Sequence, residues 1–222
     1  MYNILVVPDC HVKRPNSIER FGWLEKFVLD RCPDEIVFLG DLWDFPSLCS
    51  YDKGKTSFEG RRYKNDLEDG HQALEKFFTY DLRKIYCKEK PTNKLVFLEG
   101  NHENRIRRVA EFDSSLEGVV SIQDLKLDRY GFKFVPYLKI HESRGVFFSH
   151  YFISGIMARP IGGENPATTL ISKMHKSCVA GHSHIRSYAE RTGADGRKIM
   201  GLVAGCFLAE SQYEKYAGPA NF

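Results

Sequence analysis

Val6-Val7-Pro8-Asp9-Cys10-His11 is where an apolar run that reads as a buried strand stops in an aspartate and a histidine two places apart. In extended chain, residues i and i+2 share a face, so Asp9 and His11 can converge on one object while Cys10 points away. That geometry suits a metal ion, although Asp and His also end strands as ordinary turn residues. The same event recurs along the chain, and its recurrence decides the fold. EIVFLGD runs into Gly40-Asp41-Leu42-Trp43-Asp44, and KLVFLEGN into Gly100-Asn101-His102-Glu103. Later strands end at His150, in SHY, and at Gly181-His182-Ser183-His184. In open α/β sheets the carboxyl ends of the strands face a common crevice, so these ends converge although they are far apart in sequence.

Between the strand-like runs lie helical patterns, the alternation of an α/β domain. Ser17 is placed to cap a helix through SIERFGWLEKFVLD, where Ile18, Phe21, Leu24, Phe27 and Val28 recur at helical spacing. After a polar loop, Leu67, His71, Leu74, Phe78, Leu82 and Ile85 form the stripe of one long helix predicted over residues 59–86. NRIRRVAEF reads as a short helix. Beyond Gly131 the chain turns β-rich in FKFVPYL, GVFFSHYF, KSCVAGHSH and GRKIMGLVAGCF. A parallel α/β half comes first, and a second set of strands with antiparallel pairs completes a single domain over residues 1–222.

A chain of 222 residues, 42% apolar and 27% charged, can bury a full core. Its net charge of +3 is too slight to imply nucleic acid and does not exclude it. ILVV meets Pro8 and Asp9 at once, too soon for a signal-peptide core or a membrane span, so a cytoplasmic protein without a membrane partner is expected. Six cysteines (Cys10, Cys32, Cys49, Cys87, Cys178 and Cys206) show no C-x-x-C spacing, which argues against a zinc knuckle or a redox motif. They read as small core residues.

Of the eight histidines, His11, His102, His150, His182 and His184 sit at strand ends. His71 falls on the apolar stripe, and His141 and His175 read as surface positions. The ordered set D-x-H, G-D-x-x-D, G-N-H-E, a lone His and G-H-x-H, running from Asp9 to His184, resembles the calcineurin-like metallophosphoesterase superfamily. The resemblance implies an α/β fold, the αββα sandwich of two mixed β-sheets flanked by helices. It implies two divalent metal ions, Mn foremost, with Fe, Zn and Ni also suited to oxygen and nitrogen ligands. By the same resemblance Asp41 bridges the ions, Asp9, His11 and His184 complete one site, and Asn101, His150 and His182 the other. His102 becomes the general acid and Asp44 its orienting partner, with a metal-held hydroxide as the attacking group. Two dications less Asp9, Asp41 and a hydroxide leave a formal charge of about +1, which attracts a phosphate ester.

Substrate class is narrowed by departures from subfamily patterns. Ser/Thr protein phosphatases carry arginines where this chain has Phe45 and Glu99, which weighs against a protein phosphatase or another phosphomonoesterase. Gly40-Asp41-Leu42-Trp43-Asp44 is similar to the motif of the DNA-repair exonuclease branch, though only 38 residues follow His184 for the capping segments of that branch. The expectation is a phosphodiesterase on a nucleotide or nucleic acid. A repair-type nuclease, a monoesterase and a non-catalytic binding module are the alternatives. Asn101 and Arg105 are candidate substrate contacts; Arg105, Arg107 and Arg108 form a basic patch that could face phosphates, although three arginines on a helix read more simply as a solvated face. Residues 45–64, with Phe45, Tyr51 and Phe58 among Lys53, Lys55, Arg61 and Arg62, read either as a base-stacking, phosphate-clamping loop or as a surface loop.

Overall fold

The structure, a computed structural model, describes residues 1–86, 94–209 and Gln212. Its first half comprises β1 (Ile4–Val7), α1 (Glu19–Arg31), β2 (Glu35–Phe38), α2 (Tyr63–Phe77), α3 (Tyr80–Tyr86), β3 (Lys94–Leu98), α4 (Arg105–Phe112) and β4 (Lys133–Val135). The second half comprises β5 (His141–Ser143), β6 (Val146–Phe148), β7 (Ile153–Ser154), β8 (Arg159–Pro160), α5 (Pro166–Met174), β9 (Ser177–Ala180), β10 (Arg186–Thr192) and β11 (Lys198–Ala204).

The layers follow from alternation along the strands. Ile36 and Phe38 of β2 join Leu95 and Phe97 of β3 in a core with Phe21 and Val28 of α1 and Leu74 and Phe77 of α2. Val37, Leu39, Val96 and Leu98 point the other way and meet Phe148 and Val179 of the second sheet. Cys178 and Ala180, on the far side of β9, pack with Ala167 and Leu170 of α5. Period-2 side-chain alternation thus builds helix, sheet, sheet and helix in turn, the mixed α/β sandwich expected. The first sheet, in the order β1-β2-β3-β4, is parallel at every described pairing. The second, in the order β10-β11-β9-β6-β5, is mixed.

Several local expectations change. The long helix breaks into α2 and α3, because the Thr79 hydroxyl donates to Glu25 of α1 (2.7 Å) and Arg83 takes the Phe78 carbonyl (2.8 Å). Helix α1 begins at Glu19; the Ser17 hydroxyl oxygen accepts the Glu19 N–H. Phe27 is exposed, and the inner face of α1 carries the buried Arg20 and Glu25 instead. His141 is no surface residue: it is buried and its Nε2 lies 2.7 Å from Glu35, beside the Ser143 hydroxyl that also donates to Glu35. His175 is exposed, as expected, and His71 stands edge-on to Trp43. Cys10 and Cys178 are buried, whereas Cys32 is exposed and Cys49 and Cys206 are half-buried. Cys87 lies outside the described residues. No helix among the described residues is long and apolar enough to cross a membrane.

Candidate metal centre

The loops after β1 and β2 are zipped together by backbone. Cys10 and His11 both donate N–H to the Asp41 carbonyl (2.9 and 2.8 Å), and Val12 donates to Leu42 (2.7 Å). Buried Arg20 holds the same turn from α1, donating to the Cys10 carbonyl at 2.9 Å and to Phe207 at 2.9 Å. From the far end of the chain, the Gln212 side-chain amide donates to the His11 carbonyl (2.9 Å). The loop after β3 joins through Glu103, whose carboxylate accepts N–H from Asp41 (2.8 Å), Gly100 (3.0 Å) and Trp43 (3.0 Å). His11, Asp41, His182 and His184 all take positive φ, between 44° and 71°. Such backbone costs ~1–3 kcal/mol per residue and persists where surrounding structure over-determines it.

Gly40 alone of the three motif glycines takes positive φ (95°). Gly100 and Gly181 are required by close approach: a Cβ would stand 2.2 Å from Asp41 Oδ1 at the first and 2.2 Å from Asp9 Oδ2 at the second.

Three clusters result among the described residues, of which one joins His11 to Asp44 and His102 and the other two gather candidate ligands. Asp9, His11 and His184 bring one ligand atom each into a single small volume, and Asp41, His150 and His182 do the same beside it. Asp41 Oδ1 accepts the His102 backbone N–H at 2.8 Å. Its Oδ2 lies 3.3 Å from His150 Nε2 and 3.7 Å from His11 Nε2, so one oxygen, rather than two, faces both clusters. Asn101 Oδ1 reaches His150 Nε2 at 2.8 Å, which brings it to the second cluster. The seven candidate ligands read from the sequence therefore converge.

The donor set fits cations. Nδ1 of His11 meets Asp44 Oδ1 (3.0 Å), and Nδ1 of His150 meets the Leu39 carbonyl (2.9 Å), so Nδ1 carries the hydrogen and each Nε2 a lone pair. Yet His11 Nε2 faces His184 Nε2 at 3.0 Å, and His150 Nε2 faces the oxygens of Asn101 and Asp41. A lone pair on His150 Nε2 set against these oxygens in a buried site needs positive charge between them, a cation or a proton. Where no cation meets that need, a proton on His150 does: burial pulls the imidazole down, but the Asp41 carboxylate outweighs it and raises the pKa to about 9. Burial would raise Asp41 too, and the imidazoles of His150 and His102 hold it well below the usual range. Burial lifts Asp9 to about 6 and, with the charge of His11, drops His184 to about 3.

The profile of the calcineurin-like phosphoesterases matches residues 2–195. The chain belongs to this family. It is a metal-dependent phosphoester hydrolase. Among relatives, the Gene 54 protein of Mycobacterium phage L5 is 29% identical over 188 residues, covering 81% of this chain and 69% of that protein. The Gene 54 protein of Mycobacterium phage D29 is 38% identical over 79 residues, 36% of this chain and 28% of that protein. Among solved structures, the Pseudomonas putida nuclease MPE aligns with a TM-score of 0.41 at 12% identity, over 94% of this chain and 75% of that one.

Around the centre of this phosphoesterase stand residues whose partners the motifs disclose only in part. Asp44 contacts both His11 and His102 through Oδ1 (3.0 and 3.2 Å), and Lys13 pairs with its Oδ2 (3.0 Å). His102 Nδ1 also lies 2.7 Å from the Asp44 carbonyl, and its Nε2 receives Arg105 at 3.1 Å. Glu99 turns away from the centre, accepting from Arg107 and from the Tyr137 N–H (both 2.9 Å), so Arg107, exposed to solvent as expected, is also tied to a buried carboxylate. Glu103 stood in the G-N-H-E motif, but only its long-range partners reveal its role. Of the aromatic residues in 45–64, Phe45 is buried against Trp43 and Tyr63, Phe58 lies beneath Arg61, and Tyr51 is exposed. A cavity of about 430 Å³ opens at His102 and Asp44, rimmed by Lys13, Arg14, Arg61 and Arg105.

Proposed function

We propose that the enzyme is a dinuclear-metal phosphodiesterase acting on a nucleotide or nucleic acid. The observation that carries this is Asp41 Oδ2, set between two clusters of histidine and carboxylate atoms. Asp9, His11 and His184 would hold one divalent ion, Asn101, His150 and His182 the other, with Asp41 shared. Such ions supply charge neutralisation of the phosphate and activation of water at neutral pH. Manganese is the assignment carried over from the family resemblance, and iron, zinc and nickel suit the same donors.

The chain's own groups do the rest. His102 lines the large cavity and is kept in one orientation by Asp44, so its Nε2 is the atom placed to hand a proton to the leaving oxygen. Arg105 donates to that nitrogen, and a proton there would oppose the guanidinium. A phosphate ester drawing Arg105 to itself frees Nε2 to carry the proton. Phe45 and Glu99, buried where protein phosphatases place arginines, leave the centre fewer cations for a monoester dianion and favour a diester monoanion.

The test is Mn²⁺-dependent hydrolysis of bis(p-nitrophenyl) phosphate against p-nitrophenyl phosphate on protein stripped of metal and reloaded. Diester turnover well above monoester turnover is expected; monoester preference would overturn the diesterase reading. His102→Ala should bind as much metal as the parent, measured by elemental analysis, while losing roughly 10²- to 10⁴-fold in rate. A fully active variant would remove His102 as the acid.

A further inference from the structure

A second cavity opens on the other side of Arg105. It measures about 200 Å³, and its wall includes Asn101 of the metal centre together with Arg105, Arg108, Lys53, Tyr51 and Phe112. Half-buried Leu48 and Val109 also line it. Three features set it apart from the larger cavity. Its lining holds three cations and no carboxylate, whereas Asp44, Glu59 and Asp66 line the other. Two rings from separate segments, Tyr51 and Phe112, meet at it although 81% and 80% exposed. Its volume falls below the ~300–1,000 Å³ of an ordinary small-molecule pocket, which suits one ring system.

Single exposed aromatics need no explanation, but two converging on a cationic cavity that shares a wall with a phosphoester site do. We propose that this cavity is a subsite that stacks the base of an unpaired nucleotide whose phosphoester lies at the metal centre, Arg108 and Lys53 facing the neighbouring phosphate. The inference rests on the phosphodiesterase reading and names its substrate class, single-stranded nucleic acid or a nucleotide diester. Every base offers a π-face, so stacking on Tyr51 and Phe112 selects for a base without choosing which. Bases inside a duplex are stacked on one another, and a cavity of one-ring size cannot reach them. Residues 45–64 thus contribute through Tyr51 and Lys53, while Arg61 is tied to Asp52 and the Pro46 carbonyl.

The experiment compares the p-nitrophenyl ester of thymidylate with methyl p-nitrophenyl phosphate, diesters with the same leaving group that differ in the nucleoside, and the cavity variants then assign the difference to the base. On the metal-loaded enzyme, kcat/KM should favour the thymidine ester by roughly 5- to 100-fold, the range base–aromatic stacking spans on alanine substitution. Tyr51→Ala and Phe112→Ala should each shrink that ratio, and Tyr188→Ala, an exposed ring on β10, should keep it. An undiminished ratio in both cavity variants overturns the subsite. Calorimetry on metal-stripped protein decides independently of turnover, using a short oligothymidylate and an abasic strand of equal length. Tighter binding of thymidylate that is lost in Tyr51→Ala supports the subsite, and equal binding of the two strands refutes it. If neither diester is hydrolysed, the phosphodiesterase reading fails, and calorimetry still decides whether the cavity binds a base.

Discussion

Glu103→Gln probes how the centre is held together. In the native chain Oε2 accepts from Asp41 and Gly100 and Oε1 from Trp43, so one carboxylate joins the loops after β2 and β3. Burial and the Asp41 charge push this carboxyl up to about 7, against the pull of its N–H donors. An amide has one oxygen, which can keep the Asp41 and Gly100 bonds and must then turn its NH₂ towards the Trp43 N–H. One buried donor without an acceptor costs ~1–3 kcal/mol. The two retained bonds lose their charge, and relief of the carboxylate's burial offsets that loss, so the net effect stays near ~1–3 kcal/mol. With a urea m-value at the upper end of ~1–3 kcal/mol/M, the midpoint falls by roughly 0.3–1 M. Because the bonded N–H groups belong to the loops carrying Asp41 and Asn101, metal affinity should fall with it, on the order of 10- to 100-fold. The assays are urea unfolding of metal-stripped protein and calorimetric titration with Mn²⁺. A variant with the parent midpoint and the parent affinity would refute the reasoning, because the Trp43 N–H would then have found another acceptor at no cost.

Asp44→Asn should impair rate more than stability, because the amide keeps one oxygen for His11 and His102 but loses the negative charge beside both imidazoles and the acceptor of Lys13; a kcat loss on the order of 10²-fold with a raised Mn²⁺ dissociation constant is expected. Gly181→Ala should displace the Asp9 carboxylate, since the new methyl would lie 2.2 Å from its Oδ2, and metal stoichiometry by elemental analysis should drop towards one ion while the fold persists by circular dichroism. The Glu35 cluster sets an acid limit on stability. Burial raises its carboxyl, yet hydrogen bonds from Ser143, His141 and Tyr2 bring it below its ordinary 4.5, so its contribution is complete above that pH and is lost as pH falls through the lower folded value. Urea midpoints between neutral and acid pH should therefore decline less steeply in Glu35→Gln than in the parent, and parallel curves would exclude Glu35 from the acid limb.

The sequence by itself determined the strand ends and what they carry. Period-2 apolar runs ending in Asp, His or Asn can be read locally, and the ordered motifs placed all seven candidate ligands, Asp9, His11, Asp41, Asn101, His150, His182 and His184, where the structure brings them together. The layers were legible for the same reason, since alternation between Ile36 and Val37 or Phe97 and Val96 sorts side chains to opposite faces of a strand. Tertiary structure alone decided everything that depends on a partner distant in the chain. His141 reads as a surface histidine until β5 lays it against Glu35, 106 positions away. Arg20 reads as the polar face of a helix until its guanidinium meets the carbonyls of Cys10 and Phe207. The long helix breaks because Thr79 finds Glu25, and Asp41 offers one oxygen to the centre because His102 takes the other. Tyr51 and Phe112 carry no shared periodicity, and only the packing of the loop against α4 puts both rings at one cavity. Local pattern records which face a residue takes, whereas hydrogen bonds and charge pairs across long separations are settled when the layers close.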